Sequence, residues 1–220
     1  MKLLEALTIN NLSDILKTLE NNGVSLRKLD EYDQFRKLGN GSYASVYEIE
    51  DTEFVLRIGV SRTESDDNME ELINKDFDNV VKVYLYKNIK NGASVDNELV
   101  VMEQLYNLEE EEHGFYHALL SLMDYLSIEE LITVTDFDDK DDIRNTLLHY
   151  IFEEDEELEL GEEINIIDSA IDEIYYYREF FHQIYNGFME LKSVGIYHND
   201  LHPQNIMVDK KGTIKIIDWF

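Results

Sequence analysis

The sequence HNDLHPQN at residues 198–205, followed by IKIIDWF at residues 214–220, decides how the fold is interpreted. Asp200 and Asn205 lie in a predicted loop that follows a helix, and Asp218 ends a short apolar strand. An isolated Asp or Asn is a turn former in most proteins. Three oxygen-bearing side chains at loop and strand ends are instead a set that suits Mg²⁺, which usually completes its shell with phosphate oxygens. This part of the chain therefore indicates a magnesium and phosphate site.

A glycine motif, LGNGSYASVYEI at residues 38–49, lies near the other end of the chain. Glycine pairs also mark ordinary hairpins and dinucleotide-binding turns, so Gly39 and Gly41 alone are a weak signal. A dinucleotide fingerprint should open a helix, whereas the residues from Ala44 onward have the pattern of a strand. The motif therefore predicts a strand-turn-strand whose backbone N–H groups can approach phosphate closely.

Alternating apolar residues surround this motif and predict a sheet. The expected strands are residues 35–39, 42–50, 53–60, 80–87 and 98–105, with a charged helix at 65–77 between the third and fourth. A helical extension is expected over residues 1–30, and a long amphipathic helix from about Ile164 to Val194, ending at Gly195. The first hundred residues are thus predicted to be a five-stranded antiparallel sheet with one helix.

Composition excludes several classes of function. The 220 residues carry a formal charge of −29 and no cysteine, with 44% hydrophobic residues. Such a chain is folded rather than disordered, repels nucleic-acid backbones, and has neither a disulfide framework nor cysteine-ligated zinc. The segment from residue 103 to residue 175 contains 24 acidic residues and only two basic ones, Lys140 and Arg144. Apolar residues at helical spacing recur within this segment, so we expect packed helices with a solvated acidic face.

Together these motifs resemble the protein-kinase superfamily, which includes eukaryotic-like and phage protein kinases. Residues 38–47 resemble the G-x-G-x-x-G-x-V loop, residues 198–205 resemble H-R-D-L-x-x-x-N, and Asp218 stands where D-F-G belongs. The resemblance covers nearly the whole chain in order. It implies an α+β, two-lobed fold: a five-stranded antiparallel N-lobe at 31–105 and a helical, shortened C-lobe at 106–220, containing an acidic insert at about 109–170.

The resemblance also implies roles for individual residues. Asp200 would accept the proton of the substrate hydroxyl, His202 would hydrogen-bond the transferring phosphoryl group, and Asn205 and Asp218 would hold Mg²⁺. His198 is expected to support the loop by packing and hydrogen bonding. Residues 102–105 resemble the hinge that receives adenine in kinases. The residues implied to bind ATP come from the glycine motif, the third strand, the first helix and this hinge: Gly39, Gly41, Ala44, Val46, Arg57, Glu70, Met102, Glu103 and Leu105.

The sequence departs from the kinase pattern at several positions. Ala44 replaces the third glycine, and Arg57 occupies the position of the phosphate-binding lysine, although its planar, bulkier guanidinium is not a simple substitute. Glu70 fits best by spacing as the partner of Arg57, with the adjoining Glu71 as an alternative, and either could instead be a solvated helix charge. The resemblance ends at Phe220 and includes no activation segment. We expect a kinase that is either naturally minimal or truncated. We expect the apolar stripes of the acidic insert to pack under the catalytic loop while its carboxylates face solvent.

The implied function is that of an ATP- and Mg²⁺-dependent phosphotransferase, foremost a Ser/Thr protein kinase of phage or other viral type. Its protein substrate would be basic, because an acidic flank speeds encounter with cations. Two alternatives stay open: a small-molecule kinase, since HNDLHPQN and IIDW resemble aminoglycoside and choline kinases, and an acidic pseudokinase that occupies a basic surface of a partner. We expect a cytoplasmic protein, in the host cytoplasm if viral, with no direct binding to nucleic acid or membrane.

Overall fold

A computed structural model describes residues 35–40, 44–49, 52–60, 69, 71–73, 75–89, 97–123, 126–134, 136–154, 160–198 and 200–218. The predicted extension at residues 1–30 lies outside these ranges. The chain divides into two compact units, which are described separately. The first contains residues up to Asp76 together with Val81–Gln104, and the second contains Phe77–Val80 and the residues from Leu105 to Trp219.

The first unit is built on a five-stranded sheet, and its strands are β1 (Phe35–Asn40), β2 (Ala44–Ile49), β3 (Phe54–Val60), β4 (Val83–Ile89) and β5 (Asn97–Glu103). Their order across the sheet is β1-β2-β3-β5-β4, and every neighbouring pair is antiparallel. Helical backbone lies at Met69 and at residues 71–73, inside the predicted charged helix. The α+β fold with a five-stranded antiparallel sheet is therefore confirmed.

Period-two alternation divides this sheet into two faces. One face carries a cluster of buried apolar side chains from four strands: Phe35, Tyr47, Ile49, Leu56, Ile58, Leu99 and Val101. The register explains the cluster, since Leu56 pairs with Tyr47 on one side and with Val101 on the other. The opposite face of the same strands carries Val46, Arg57 and Val100, which also pair across the sheet.

The second unit is mainly helical, with a small sheet. Its helices are α1 (Leu108–Glu111), α2 (His113–Met123), α3 (Ile128–Leu131), α4 (Lys140–Glu154), α5 (Leu160–Tyr176) and α6 (Arg178–Ser193). Its strands β6 (Tyr106–Asn107), β7 (Ile206–Val208) and β8 (Ile214–Ile216) form an antiparallel sheet in that order. Within the described residues, no helix is long and apolar enough to cross a membrane.

The prediction of one long helix from Ile164 to Val194 is wrong, because the chain forms α5 and α6 with a break at Tyr177. Tyr177 has φ −99° and ψ 18°, outside helical geometry. The break accompanies an aromatic cluster around Phe115 of α2, whose ring lies 5.5 Å from that of Tyr177 and 4.7 Å from that of Phe180. Packing of these large rings, which periodicity alone does not report, accounts for the interruption.

The fourth strand also begins later than predicted, at Val83 rather than residue 80. Residues 78–80 instead belong to the second unit and bond to its α6 and β8. The carboxylate of Glu190 in α6 accepts hydrogen bonds from the backbone N–H groups of Asp78 (3.0 Å) and Asn79 (2.9 Å). Asn79 donates its side-chain amide to the carbonyl of Ile214 at 3.0 Å, and Val80 forms a parallel bridge with Ile216. These bonds satisfy backbone groups that a longer β4 would otherwise have used.

The backbone of Asn79 passes so close to α6 that position 187 of the helix requires a glycine. A Cβ at Gly187 would lie 2.6 Å from the carbonyl oxygen of Asn79 and 3.0 Å from Cδ1 of Ile216. We expect Gly187→Ala to lower the free energy of unfolding by about 1–3 kcal/mol, because the backbone of residue 79 must move away from the helix. Urea denaturation measures the loss, with the exposed neighbouring substitution Asn186→Ala as control. Equal stability of Gly187→Ala and wild type would contradict the packing.

The acidic segment is helical within the described residues, as predicted. Its two basic residues join α4 to α5 through ion pairs, Lys140 with Asp172 at 2.7 Å and Arg144 with Asp168. Beneath these exposed pairs lies an apolar core to which every long helix contributes: Phe115, Leu119, Ile143, Leu147, Ile171, Ile174, Phe181 and Ile184 are all buried. Apolar burial therefore holds the helices together, since exposed ion pairs contribute little.

Candidate active site

The loop that carries Asp200 is closed by hydrogen bonds to the β7–β8 hairpin. A 3₁₀ turn at Pro203–Asn205 leads into β7, and its residue Asn205 is buried. Asn205 donates its side-chain amide to the carbonyl of Asp200 at 2.9 Å, and its own carbonyl accepts the N–H of Ile217 at 2.9 Å. Asn205 thereby links the backbone of Asp200 to the residue that precedes Asp218.

His198 makes a second link between the same two segments. Its Nδ1 accepts the backbone N–H of Asp200 at 3.3 Å, and its Nε2 lies 2.8 Å from the carbonyl of Ile217. Because Nδ1 accepts, the proton belongs on Nε2, which then donates to that carbonyl. His198 is buried, and burial lowers its pKa from 6.5, so that the neutral ring is favoured. The supporting role predicted for His198 agrees with these contacts.

Protonation of His198 should open this link, because a protonated Nδ1 cannot accept the Asp200 N–H. The pKa of His198 is lowered in the folded chain, so the unfolded chain binds more protons below pH 6.5. We expect the free energy of unfolding contributed by the neutral ring to be complete above pH 6.5 and lost as the pH falls through the lowered pKa. Urea denaturation from pH 7.5 to pH 5 measures this.

The control for the pH series is His198→Gln, which keeps a donor for the Ile217 carbonyl but does not titrate. Its stability should depend less steeply on pH in this window, whatever its absolute stability. Identical slopes for wild type and His198→Gln would show that His198 does not titrate on unfolding.

The predicted catalytic side chains lie on the exposed side of this loop. The Asp200 side chain is 84% exposed, and its Oδ2 lies 3.8 Å from Nε2 of His202. The His202 Nδ1 is buried and has no hydrogen-bond partner within the described part of the chain. Asp218 is exposed and has φ +56°, a left-handed conformation that is uncommon outside glycine and occurs at functional sites. The loop therefore presents the carboxylates of Asp200 and Asp218 to solvent while their backbones are held.

Asn205 and Asp218 fit a hard cation by their chemistry, since an amide oxygen and a carboxylate are ligands that Mg²⁺ prefers. Among the described residues, no group of three or more His, Asp and Glu side chains could hold a metal ion. A site with two protein ligands is the kind that Mg²⁺ occupies together with waters and phosphate oxygens. The donor set thus suits a metal that arrives with a nucleotide.

The loop is also bound to the acidic segment. The carboxylate of Glu129 in α3 accepts the backbone N–H of Leu201 at 3.3 Å. Packing of the insert near the catalytic loop was expected through apolar side chains, with carboxylates in solvent. That expectation is wrong for Glu129, because its carboxylate is a hydrogen-bond partner of the loop itself.

The first unit holds the residues that the resemblance assigns to ATP. Gly39 and Ala44 lie at facing ends of β1 and β2, and Val46 pairs with Arg57 across β2 and β3. A Cβ at Gly39 would meet no atom within 4 Å, so this position has room for a close approach. Gly41 and Glu70 lie outside the described residues, and their roles stay predictions.

Arg57 has a partner that the sequence did not reveal. Its guanidinium forms an ion pair with the carboxylate of Glu98 in β5, and the two side chains are 13% and 3% exposed. Arg57 pairs with Val100 across β3 and β5, so Glu98, two residues before Val100, lies on the same face of the sheet. The alternation of β5 could have indicated this contact, had the register with β3 been known.

The predicted hinge residues lie where β5 ends. Met102 and Glu103 are the last residues of the strand, and Leu105 follows in the second unit. Glu103 bonds twice to Lys82: its carboxylate accepts the Lys82 N–H at 2.8 Å, and its own N–H donates to the Lys82 carbonyl at 3.0 Å. These bonds fix the end of β5 to the residue that precedes β4.

Comparison with known proteins supports a relationship to protein kinases. Over 42 residues the chain is 43% identical to CBL-interacting serine/threonine-protein kinase 8 of Arabidopsis thaliana. Over stretches of the same length it is 45% and 40% identical to CBL-interacting protein kinases 17 and 9 of Oryza sativa subsp. japonica. Each match covers 19% of this chain and 9% of the relative. No protein-family model matches the chain.

These matches are short, but they agree with the fold. An antiparallel five-stranded sheet followed by a helical part is consistent with a kinase-like two-lobed fold. The fold is therefore consistent with that of a protein kinase, and the chain has partial sequence similarity to protein kinases.

Proposed function

We propose that the chain is an ATP- and Mg²⁺-dependent phosphotransferase that acts on Ser or Thr hydroxyl groups of proteins. The observation that carries the proposal is the hydrogen-bonded arrangement of Asp200, Asn205 and the residues that precede Asp218. It links the backbone of Asp200, whose exposed carboxylate suits a base, to Asn205 and to the residue before Asp218, whose side-chain oxygens suit Mg²⁺. Partial similarity to proteins named serine/threonine-protein kinases supports the same reaction.

In the proposed reaction, the carboxylate of Asp200 accepts the proton of the substrate hydroxyl. The hydroxyl oxygen forms a bond to the γ-phosphorus of ATP, and the bond from that phosphorus to the bridging oxygen of ADP breaks. Asn205 and Asp218 would hold the metal, which neutralises charge on the phosphates. In the first unit, Arg57, oriented by Glu98, would contribute guanidinium N–H donors to the binding of ATP, as the resemblance implies. Positioning and charge neutralisation would account for most of the catalysis.

The test is transfer of label from γ-labelled ATP in the presence of Mg²⁺ and a cell lysate, with metal-free reactions and Asp200→Ala as controls. Label on proteins that disappears in both controls supports the proposal. Label confined to small metabolites would identify the chain as a small-molecule kinase instead. Absence of label, with no effect of Mg·ATP on the melting temperature, would overturn phosphotransfer altogether.

A second candidate function is binding of a basic partner without catalysis, and one observation favours it. Arg57 stands at the position of the phosphate-binding lysine and is engaged by the buried Glu98, in a chain with a formal charge of −29. A complex formed through such charge should dissociate as salt rises from 0.05 to 0.5 M, because salt screens exposed charges. An inactive chain that co-purifies with a basic protein and releases it in salt would support this candidate.

A further inference from the structure

We propose that Glu129 is a positioning residue for the proposed base, Asp200, and that the acidic segment thereby supplies part of the active site. The inference rests on the proposed function, since Asp200 is the group whose orientation is at issue. Glu129 lies in α3, 71 residues before Asp200 in the chain. Nothing in the kinase-like motifs marks it, and in the sequence it is one of many acidic residues.

The argument begins with a single peptide group, the one that joins Asp200 to Leu201. Its carbonyl accepts a hydrogen bond from the Asn205 side chain at 2.9 Å, and its N–H donates to the Glu129 carboxylate at 3.3 Å. Both polar atoms of this peptide are therefore held by side chains. The N–H of Asp200 itself donates to His198 at 3.3 Å. The backbone is thus fixed on both sides of the Asp200 Cα.

Such fixing matters because little else in the second unit orients the Asp200 side chain. That side chain is 84% exposed, so its direction depends on the backbone from which it projects. Rotation of the peptide after Asp200 would move the carboxylate away from a substrate hydroxyl, and small displacements of reacting groups are costly to catalysis. Glu129 opposes that rotation with a charge-assisted hydrogen bond, which is stronger than a bond between neutral groups.

Glu129 is itself held firmly. Ser127 caps the start of α3 and forms a capping box with Glu130, with a side-chain oxygen of Glu130 2.7 Å from the Ser127 backbone nitrogen. The residues on either side of the Glu129–Glu130 pair, Ile128 and Leu131, are buried in the core. The short helix therefore cannot turn Glu129 away from the loop without exposing apolar surface.

The charge of Glu129 also acts on His198. The groups that face His198 are the carbonyl of Ile217 and the carboxylates of Glu129, Asp200 and Asp218. Burial lowers the pKa of His198, and among these carboxylates Glu129 opposes the lowering most strongly. Removing the charge of Glu129 should lower the pKa of His198 further.

The test compares Glu129→Ala and Glu129→Gln with Glu110→Ala, which removes an exposed charge of α1 from the same acidic segment. Folding of each variant is checked by thermal melting. Three kinds of measurement are made: steady-state kinetics (kcat and KM for ATP) in the labelled-transfer assay, the acid limb of the pH profile of kcat, and hydrogen exchange at the Leu201 amide.

We expect Glu129→Ala to lower kcat by more than about 10-fold, towards the roughly 10²-fold loss that follows from a 1 Å misplacement, with KM for ATP unchanged. Its Leu201 amide should exchange faster. Glu129→Gln retains an oxygen acceptor, so it should keep most of kcat while its acid limb moves to lower pH. Glu110→Ala should match wild type in all three measurements.

Wild-type kcat and wild-type exchange at Leu201 in Glu129→Ala would overturn the inference. If Glu129→Ala does not fold, wild-type exchange at the Leu201 amide in Glu129→Gln overturns it instead, because a neutral amide oxygen makes a weaker bond than the carboxylate. Failure of the proposed function is distinguishable, because it would appear as absent transfer in wild type. The exchange measurement needs no substrate, and loss of Leu201 protection in Glu129→Ala would still show that Glu129 holds the loop.

Discussion

Replacing Asp200 with asparagine is expected to lower the rate of phosphoryl transfer by about 10²–10⁴-fold, the range that general acid–base groups contribute. Asparagine preserves the size of the side chain but cannot accept the hydroxyl proton. The backbone of Asp200 is bonded to His198 and Asn205, and neither bond involves its carboxylate, so the loop should keep its conformation. The rate is measured under single-turnover conditions with γ-labelled ATP.

Two controls separate lost chemistry from lost structure. Asp141→Asn removes an equal charge from the exposed first turn of α4 and should leave the rate unchanged. Binding of Mg·ATP, followed as a rise in melting temperature, should persist in Asp200→Asn, because the proposed metal ligands are Asn205 and Asp218. An Asp200→Asn variant with more than a tenth of the wild-type rate would show that Asp200 is not the base.

The acidic segment has at least two kinds of carboxylate, and they differ in what they contact. Asp168 and Asp172 pair with the two basic residues of α4 on an exposed surface, where ion pairs are screened by salt. Glu129 accepts a backbone N–H of the catalytic loop, and Glu190, just beyond the segment in α6, accepts two backbone N–H groups of residues 78 and 79. Some carboxylates in and next to this acidic region therefore accept hydrogen bonds from backbone N–H groups of loops. Contact with solvent is not their only role.

Much of the first unit could be predicted because its signals are local. Alternating apolar residues determine which side chains of β2 and β3 face the buried cluster, so both strands lie close to where the sequence placed them. The loop around Asp200 carries a different kind of local signal, since its residue types and spacing suit metal and phosphate chemistry, and the role assigned to it stays a prediction. In both cases the deciding residues are neighbours in sequence.

What the sequence could not predict depends on contacts between distant residues. Glu98 is 41 residues from Arg57, and Glu129 is 72 residues from Leu201, so neither partner leaves a mark in a local pattern. The break at Tyr177 has the same origin, because apolar periodicity continues through it while aromatic packing on α2 interrupts the helix. Acidic residues are so frequent in this chain that composition gives no reason to choose one over another.

Truncating Glu98 to alanine is expected to lower the free energy of unfolding by about 3–5 kcal/mol, the cost of breaking a buried ion pair by removing one member. Arg57 is 13% exposed in the folded chain, and its guanidinium would lose the carboxylate of a neighbouring strand. The desolvation of the arginine would then be less well compensated. Urea denaturation of the full chain, at a pH above 7 where His198 is neutral, measures the change.

The matched control is Arg36→Met, which breaks an ion pair with Glu48 between β1 and β2 of the same sheet. The Arg36 side chain is 73% exposed, so its loss should cost less than about 1 kcal/mol. The double substitution Arg57→Met with Glu98→Leu removes both buried charges and fills the space with apolar groups. It should therefore be more stable than Glu98→Ala alone, since a well-packed apolar pair can replace a buried ion pair with little cost.

The double variant tests what the Arg57–Glu98 pair does for function. If Glu98 serves to hold Arg57 against phosphate, the double variant should fold and yet show a weakened effect of Mg·ATP on its melting temperature. If Arg57 and Glu98 serve the sheet alone, the double variant should bind Mg·ATP as wild type does, and the arginine would have no part in holding phosphate. A Glu98→Ala variant as stable as Arg36→Met would show that burial of this pair contributes nothing to the first unit.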